Sequence, residues 1–210
     1  MSAEILLAHA ENAIAKAAAI IVHGGLVAFP TDTVYGVGTH GLLAQAVHRL
    51  YTAKLRPRDK AIPLLLADAQ DMAVVGRDIP PLAWHLAARF WPGALTLVVP
   101  RSPDLPDILC AGGDTVAVRV PAHPVTLALI RAVGAPLATT SANLSGHPPA
   151  TTADEVLQAI GDRVDLILDG GISPGGVPST VLDVTITPPR LLREGALSLE
   201  ELQTAWERML

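Results

Sequence analysis

Aromatic residues supply only 3% of this 210-residue chain. So few rings leave little from which to build a platform for stacking nucleic-acid bases. The formal net charge is −5, so the molecule as a whole repels a phosphate backbone. Any anion site must then be a local cluster of Lys and Arg in a cleft. The single cysteine, Cys110, rules out an intrachain disulfide and a thiolate zinc cluster, and it suits a reducing compartment. No apolar stretch approaches about 18 uninterrupted residues, so no segment is expected to cross a membrane. The longest, Ala13 to Val22, is interrupted by Lys16 and closed by His23-Gly24-Gly25. It reads as a buried helix with a glycine stop. The N-terminus lacks the basic start and long apolar run of a secretory signal, which makes the cytoplasm the expected location. Several familiar motifs are missing too: the phosphate loop G-x-x-x-x-G-K-[ST], a G-x-G-x-x-G turn, a G-x-S-x-G elbow, and any close histidine pair.

What is present is aliphatic. Half the residues are hydrophobic, mostly Ala, Val, Leu and Ile, a composition that suits strands covered by alanine-rich helices. Helical stripes are expected at Glu11–His23, Leu42–Leu55, from Pro80-Pro81 to about Trp91, and at Pro124–Val133, Thr152–Ile160 and Leu199–Met209. Thr152 and Glu155 form a capping-box signature. Strands are expected at Leu26–Pro30, Ile62–Leu66, Ala94–Val99, Val116–Val120, Leu137–Thr139, Leu166–Leu168 and Val181–Val184. Pro63 puts the second of these near an edge or a strand start. Pro and Gly are spread over the connections, and no repeat or linker stands out. The chain therefore reads as one layered α/β domain over residues 1–210 with a mostly buried sheet.

Polar segments follow or separate the apolar strands. Pro30-Thr-Asp-Thr-Val-Tyr-Gly-Val-Gly38 is a loop whose backbone could approach a ligand, or a plain turn. Lys54-Leu-Arg-Pro-Arg-Asp-Lys60 places four cations in seven residues at a helix end. That is either a solvated last turn or a set of cations fixed by Pro57. Thr139-Thr-Ser-Ala-Asn143 offers hydroxyls and an amide to phosphate or carboxylate oxygens. Arg119 sits inside the apolar run from Thr115 to Pro121, where an unpaired guanidinium is costly. It needs an anion, from the protein or from a substrate. The long stretch from Asp169 to Thr180, followed by Leu191-Leu-Arg-Glu-Gly195, is either a lid or a slack surface loop.

In this order the segments resemble the YrdC/TsaC family of threonylcarbamoyl-AMP synthases. The matching blocks are PTDTVYGVG (30–38), KLRPRDK (54–60), WPGALTLVV (91–99), DTVAVRVPAHP (114–124), TSANLSG (140–146), DGG…PSTVLDV (169–184) and LLREG (191–195). The K-x-R and S-x-N pairs, Lys54/Arg56 and Ser141/Asn143, are the most telling. The resemblance implies a twisted mixed sheet flanked by helices, with a concave, positively charged cavity. It also implies an adenylyl transfer from ATP to the carbamate of L-threonine and bicarbonate, with diphosphate as co-product. The product would supply the N6-threonylcarbamoyl group of adenosine 37 in tRNAs reading ANN codons. By the same resemblance, Lys54, Arg56, Ser141 and Asn143 would act at the reacting phosphates. Threonine would be held by Thr33, Arg119, the backbone near Thr139, and Ser179. ATP would be held by Arg56, Lys60, Thr115, Ser141 and Arg193. Mg²⁺ is expected on the ATP phosphates with no protein ligands. Downstream tRNA-modifying proteins are the expected partners, with weak RNA binding as a further one. The chain departs from some family members at Leu65, where they carry His, and at Thr140. Ending at Leu210, it resembles the single-domain form. Two rival readings stay open: an RNA-binding factor, and a module that makes carbamoyl-adenylate from carbamoyl phosphate.

Overall fold

The computed structural model describes residues 3–207, so the last residues of the expected C-terminal helix lie outside it. Among the described residues ten strands form one mixed sheet. In chain order they are β1 (Glu4–Leu7), β2 (Val27–Phe29), β3 (Gly36–His40), β4 (Leu64–Leu65), β5 (Leu95–Pro100), β6 (Thr115–Arg119), β7 (Leu137–Ser141), β8 (Leu166–Asp169), β9 (Thr180–Asp183) and β10 (Arg190–Arg193). Across the sheet they run β1-β8-β2-β3-β7-β4-β6-β5-β9-β10. The helices are α1 (Ala13–Val22), α2 (Ala44–Lys54), the single turn α3 (Met72–Val75), α4 (Pro81–Phe90), α5 (Pro124–Val133), α6 (Ala153–Ile160) and α7 (Leu199–Glu207).

The strands read as continuous apolar runs because most are covered on both faces. Successive side chains point to opposite sides. Val27 and Phe29 join one core with Leu65, Leu137, Leu166 and Leu168, beneath α1 and α5. Ala28, Leu64, Ala138 and Ile167 join the other, beneath the remaining helices. Register carries this alternation across the sheet. Leu65 stands opposite both Leu137 and Arg119, so Arg119 lies on the face that α1 and α5 cover only in part.

The expected helices and strands are present with ends shifted by a residue or two. β4 shrinks to two residues and is an interior strand, hydrogen-bonded to β6 and β7. Pro63 precedes it, and its carbonyl accepts from Thr139 N. The strands β1 and β10 and the short α3 carried no clear periodicity. A third unexpected strand, β3, lies in the segment read as a loop. Its glycines are a packing requirement: a Cβ on Gly36 would lie 2.9 Å from Thr139 Cγ2, and one on Gly38 2.8 Å from Thr139 Oγ1. The capping box is half formed. Thr152 accepts from Glu155 N, while Glu155 reaches past its expected partner to the amide of Thr151.

Candidate active site

Where the partly covered face is bare, the sheet forms the floor of a cavity of about 200 Å³. Seven strands adjacent in the sheet contribute to it or flank it. Gly36 comes from β3, Thr139 and Ser141 from β7, Leu65 from β4, Arg119 from β6 and Thr96 from β5. Ser179 precedes β9, and Arg193 ends β10. Loops close the rim with Thr31, Thr33 and Arg56. The volume is below the roughly 300–1,000 Å³ typical of drug-sized ligands. A small amino acid fits such a space, whereas a nucleotide has to extend over the open mouth.

Every charged group lining this cavity is a guanidinium: Arg56, Arg119 and Arg193. Arg119, 6% exposed, is fixed on three sides. Its Nε donates to Gly93 O at 2.8 Å, Nη1 to Thr33 Oγ1 at 3.2 Å, and Nη2 to Asp32 Oδ1 at 2.7 Å. Burial pulls its pKa down, and the Asp32 carboxylate opposes that pull. Both alternatives for its anion therefore remain compatible with the site, since a protein carboxylate is in place and two N–H groups are uncommitted.

The other two guanidiniums have no acidic partner among their hydrogen bonds. Arg56 donates to the carbonyls of Lys60 and Ala61, and Arg193 to the carbonyl and hydroxyl of Ser179. Burial lowers both pKa values, and for Arg193 the positive charges of Arg119 and Arg56 add to the effect. A site that crowds like charges in this way gains when an anion enters.

Hydroxyls fill the gaps. Thr31 Oγ1 lies 3.0 Å from Thr33 Oγ1 and donates to Val34 O, fixing the loop after β2. Thr96 Oγ1 lies 2.7 Å from Ser179 Oγ. Of the residues singled out in the sequence, Thr33, Arg56, Arg119, Thr139, Ser141, Ser179 and Arg193 converge on the cavity.

Four others stand apart from the lining. Lys54 is 2% exposed and points into the fold, donating to Ser141 O and, at 3.3 Å, to Asn143 Oδ1. Burial, with the nearby Arg56 charge, pushes its pKa down to about 7. Asn143 turns its amide to the carbonyls of Leu144 and His147. These two residues brace the turn after β7. The backbone explains the divergence of Lys54 from Arg56, because Leu55 between them is left-handed at φ 52°. Lys60 is exposed, and its carbonyl anchors Arg56 and Tyr51. Thr115 shares Arg119's face of β6, about 13 Å along the strand.

Sequence reasoning gave no role to Asp32, Thr31, Thr96 or Tyr35. Asp32 stood inside a quoted block with no role, and Thr96 could have been flagged as a polar residue in an apolar strand. Leu65 had been noted as a departure, and it forms part of the cavity wall. The glycine-rich segment packs against this loop. Tyr35 Oη donates to Gly171 O, and Gly176 N donates to Thr33 O.

Comparison with known proteins gives consistent findings. The Sua5/YciO/YrdC family model, described as "Telomere recombination", matches residues 19–195. A threonylcarbamoyl-AMP synthase from Pyrococcus abyssi is 47% identical over 187 residues, covering 89% of this chain and 55% of that protein. A putative threonylcarbamoyl-AMP synthase from Mycobacterium tuberculosis is 41% identical over 189 residues, covering 90% of this chain and 87% of its own. The crystal structure of P. abyssi Sua5 complexed with L-threonine superposes with a TM-score of 0.93 at 44% identity, over 98% of this chain and 61% of that one. The chain thus spans little more than half the length of the P. abyssi relative.

Proposed function

The chain belongs to the Sua5/YciO/YrdC family, and from that membership we propose that it is a threonylcarbamoyl-AMP synthase, a nucleotidyltransferase acting on L-threonine, bicarbonate and ATP. The observation that carries this reading is the convergence of three guanidiniums on one cavity too small for a whole nucleotide. The L-threonine bound in the P. abyssi relative supports an amino-acid substrate.

In this reading Arg119 holds the threonine carboxylate through its free N–H groups, with Thr33, Thr139 and Ser179 around the rest of the amino acid. Arg56, Ser141 and Arg193 face the phosphates. The threonine ammonium group and bicarbonate form a carbamate, losing water and a proton. A carbamate oxygen then bonds to the α-phosphorus, the bond from that phosphorus to the bridging oxygen breaks, and diphosphate leaves. Both reactants are anions, so fixed cations and orientation supply most of the catalysis, and no covalent enzyme intermediate is needed. Lys54 and Asn143 act on this step by bracing Ser141. Lys60 and Thr115, outside the lining, are left for the far parts of the nucleotide.

In this reading Mg²⁺ enters as part of the MgATP substrate. No helix among the described residues is long and apolar enough to cross a membrane. We place the reaction in the cytoplasm, upstream of tRNA-modifying proteins that consume the adenylate, with RNA contact weak at most.

Mass spectrometry of the product formed from labelled bicarbonate tests the reading. Label retained in a threonine-dependent adenylate supports it. Diphosphate release that ignores threonine but needs carbamoyl phosphate would replace it with the carbamoyl-adenylate alternative.

A further inference from the structure

The three guanidiniums of the cavity differ in one respect that bears on how two anionic substrates are told apart. Arg56 and Arg193 bond only to carbonyl and hydroxyl oxygens. Arg119 alone carries a carboxylate, Asp32, at 2.7 Å. Asp32 is not part of the cavity wall, although its neighbours Thr31 and Thr33 are. It accepts from Arg119 Nη2 without lining the cavity. The side chains of the pair are 7% and 15% exposed, so water screens their charges weakly.

Asp32 is held firmly in place. Thr31 Oγ1 accepts from the amides of Thr33 and Val34. Gly175 lies so close that a Cβ there would come within 2.7 Å of Asp32 O. The other titratable side chain near this carboxylate is His123. Burial lowers its pKa further than Asp32 raises it, so it is neutral at neutral pH and leaves the carboxylate's charge uncancelled.

The three cations are therefore not equivalent. Arg56 and Arg193 have no carboxylate among their hydrogen bonds, although the Asp59 charge acts on Arg56. Arg119 lines the same cavity with its charge already balanced by Asp32 and with two N–H groups uncommitted. A polyphosphate gains from net positive charge and finds less of it at Arg119 than at the other two. An amino acid in its zwitterionic form carries no net charge. It needs hydrogen-bond donors for its carboxylate and suffers no loss from a carboxylate behind them.

We propose that Asp32 is a specificity-determining residue, which balances Arg119 so that the place beside Arg119 accepts a zwitterion and refuses phosphate. It acts through Arg119 and does not touch the substrate. The inference rests on the assignment of threonine to Arg119 made above. Without Asp32, Arg119 becomes a third free cation, and diphosphate or the ATP triphosphate occupies the place of threonine.

Calorimetric titrations with L-threonine and with inorganic diphosphate, on protein shown to be folded by circular dichroism, test this. Asp32→Asn keeps an acceptor for Arg119 and removes the charge, Asp32→Ser removes it by a second route, and Asp32→Glu retains it. In the wild type and in Asp32→Glu, diphosphate should leave threonine affinity unchanged within about twofold. In both neutral variants it should bind about tenfold tighter or more, the scale of one weakly screened unit charge, and compete directly with threonine. Adding Arg119→Gln to Asp32→Asn should abolish that gain. Unchanged diphosphate binding in both neutral variants would overturn the proposal, as would a gain that survives Arg119→Gln. A wild type that binds no threonine would instead overturn the amino-acid assignment beneath it.

Discussion

Two residues apart in the sequence, Lys54 and Arg56 take opposite paths, and so do Ser141 and Asn143. Arg56 and Ser141 line the cavity. Lys54 and Asn143 are buried behind it and bonded to each other. The two pairs that look most alike as motifs are thus each divided into one group facing the cavity and one holding the frame. The left-handed Leu55 makes the first division, and the turn that begins where β7 ends at Ser141 makes the second. Adjacent charges in a motif therefore need not act on the same target.

The largest effect that sharpens this contrast should come from Arg56→Ala. Adenylate formation should fall by about 10²–10³-fold, the scale of removing one preorganised donor to a developing charge. Its bonds are to partly solvated carbonyls, so the unfolding free energy should move by only about 1 kcal/mol. Near-normal turnover would end the assignment of Arg56 to the phosphates.

Next comes Arg119→Ala, which should weaken threonine by ~2–5 kcal/mol, more than tenfold, with ATP affinity little changed. Equal losses for both substrates would erase the distinction between Arg119 and the other two guanidiniums.

Lys54 should announce its framing role through pH. Its folded pKa lies near 7 against an ordinary value of 10.5, so across that window the unfolded chain binds the extra proton. Stability should be flat with respect to this group below about 7, and then climb toward 10 with a slope of up to about 1.4 kcal/mol per pH unit. Urea denaturation at several pH values, in the wild type and in Lys54→Met, would reveal it. The variant should lose the slope, and its loss of activity should be at least about tenfold smaller than that of Arg56→Ala. A wild-type slope that Lys54→Met keeps would assign it to another group. The smallest change should follow Thr152→Ala, which removes the observed cap of α6 and should cost about 1 kcal/mol in thermal stability with no change in kinetics.

Much of the fold was legible because most of its strands are covered on both faces and its helices carry single apolar stripes. The cavity residues were legible only as separate blocks, whose convergence depends on strand order. Nothing in the spacing of Arg56, Arg119 and Arg193 says that their strands and loops meet on one face. What escaped has physical causes. β3 hid behind glycines that read as turn residues. Asp32 looked like a turn residue because its partner lies 87 positions away. The inward path of Lys54 depends on one unusual backbone angle at a leucine.

The bare edges of Gly36 and Gly38 carry a consequence for how the cavity could be altered. Its floor is shaped by what those two positions lack, because the Thr139 side chain lies where their β-carbons would press. Even alanine at either place would force the Thr139 side chain to shift or lever β7 away from β3. Enlarging or re-shaping this hollow is therefore work for its walls, Leu65 and Thr96 among them, while the floor tolerates no addition.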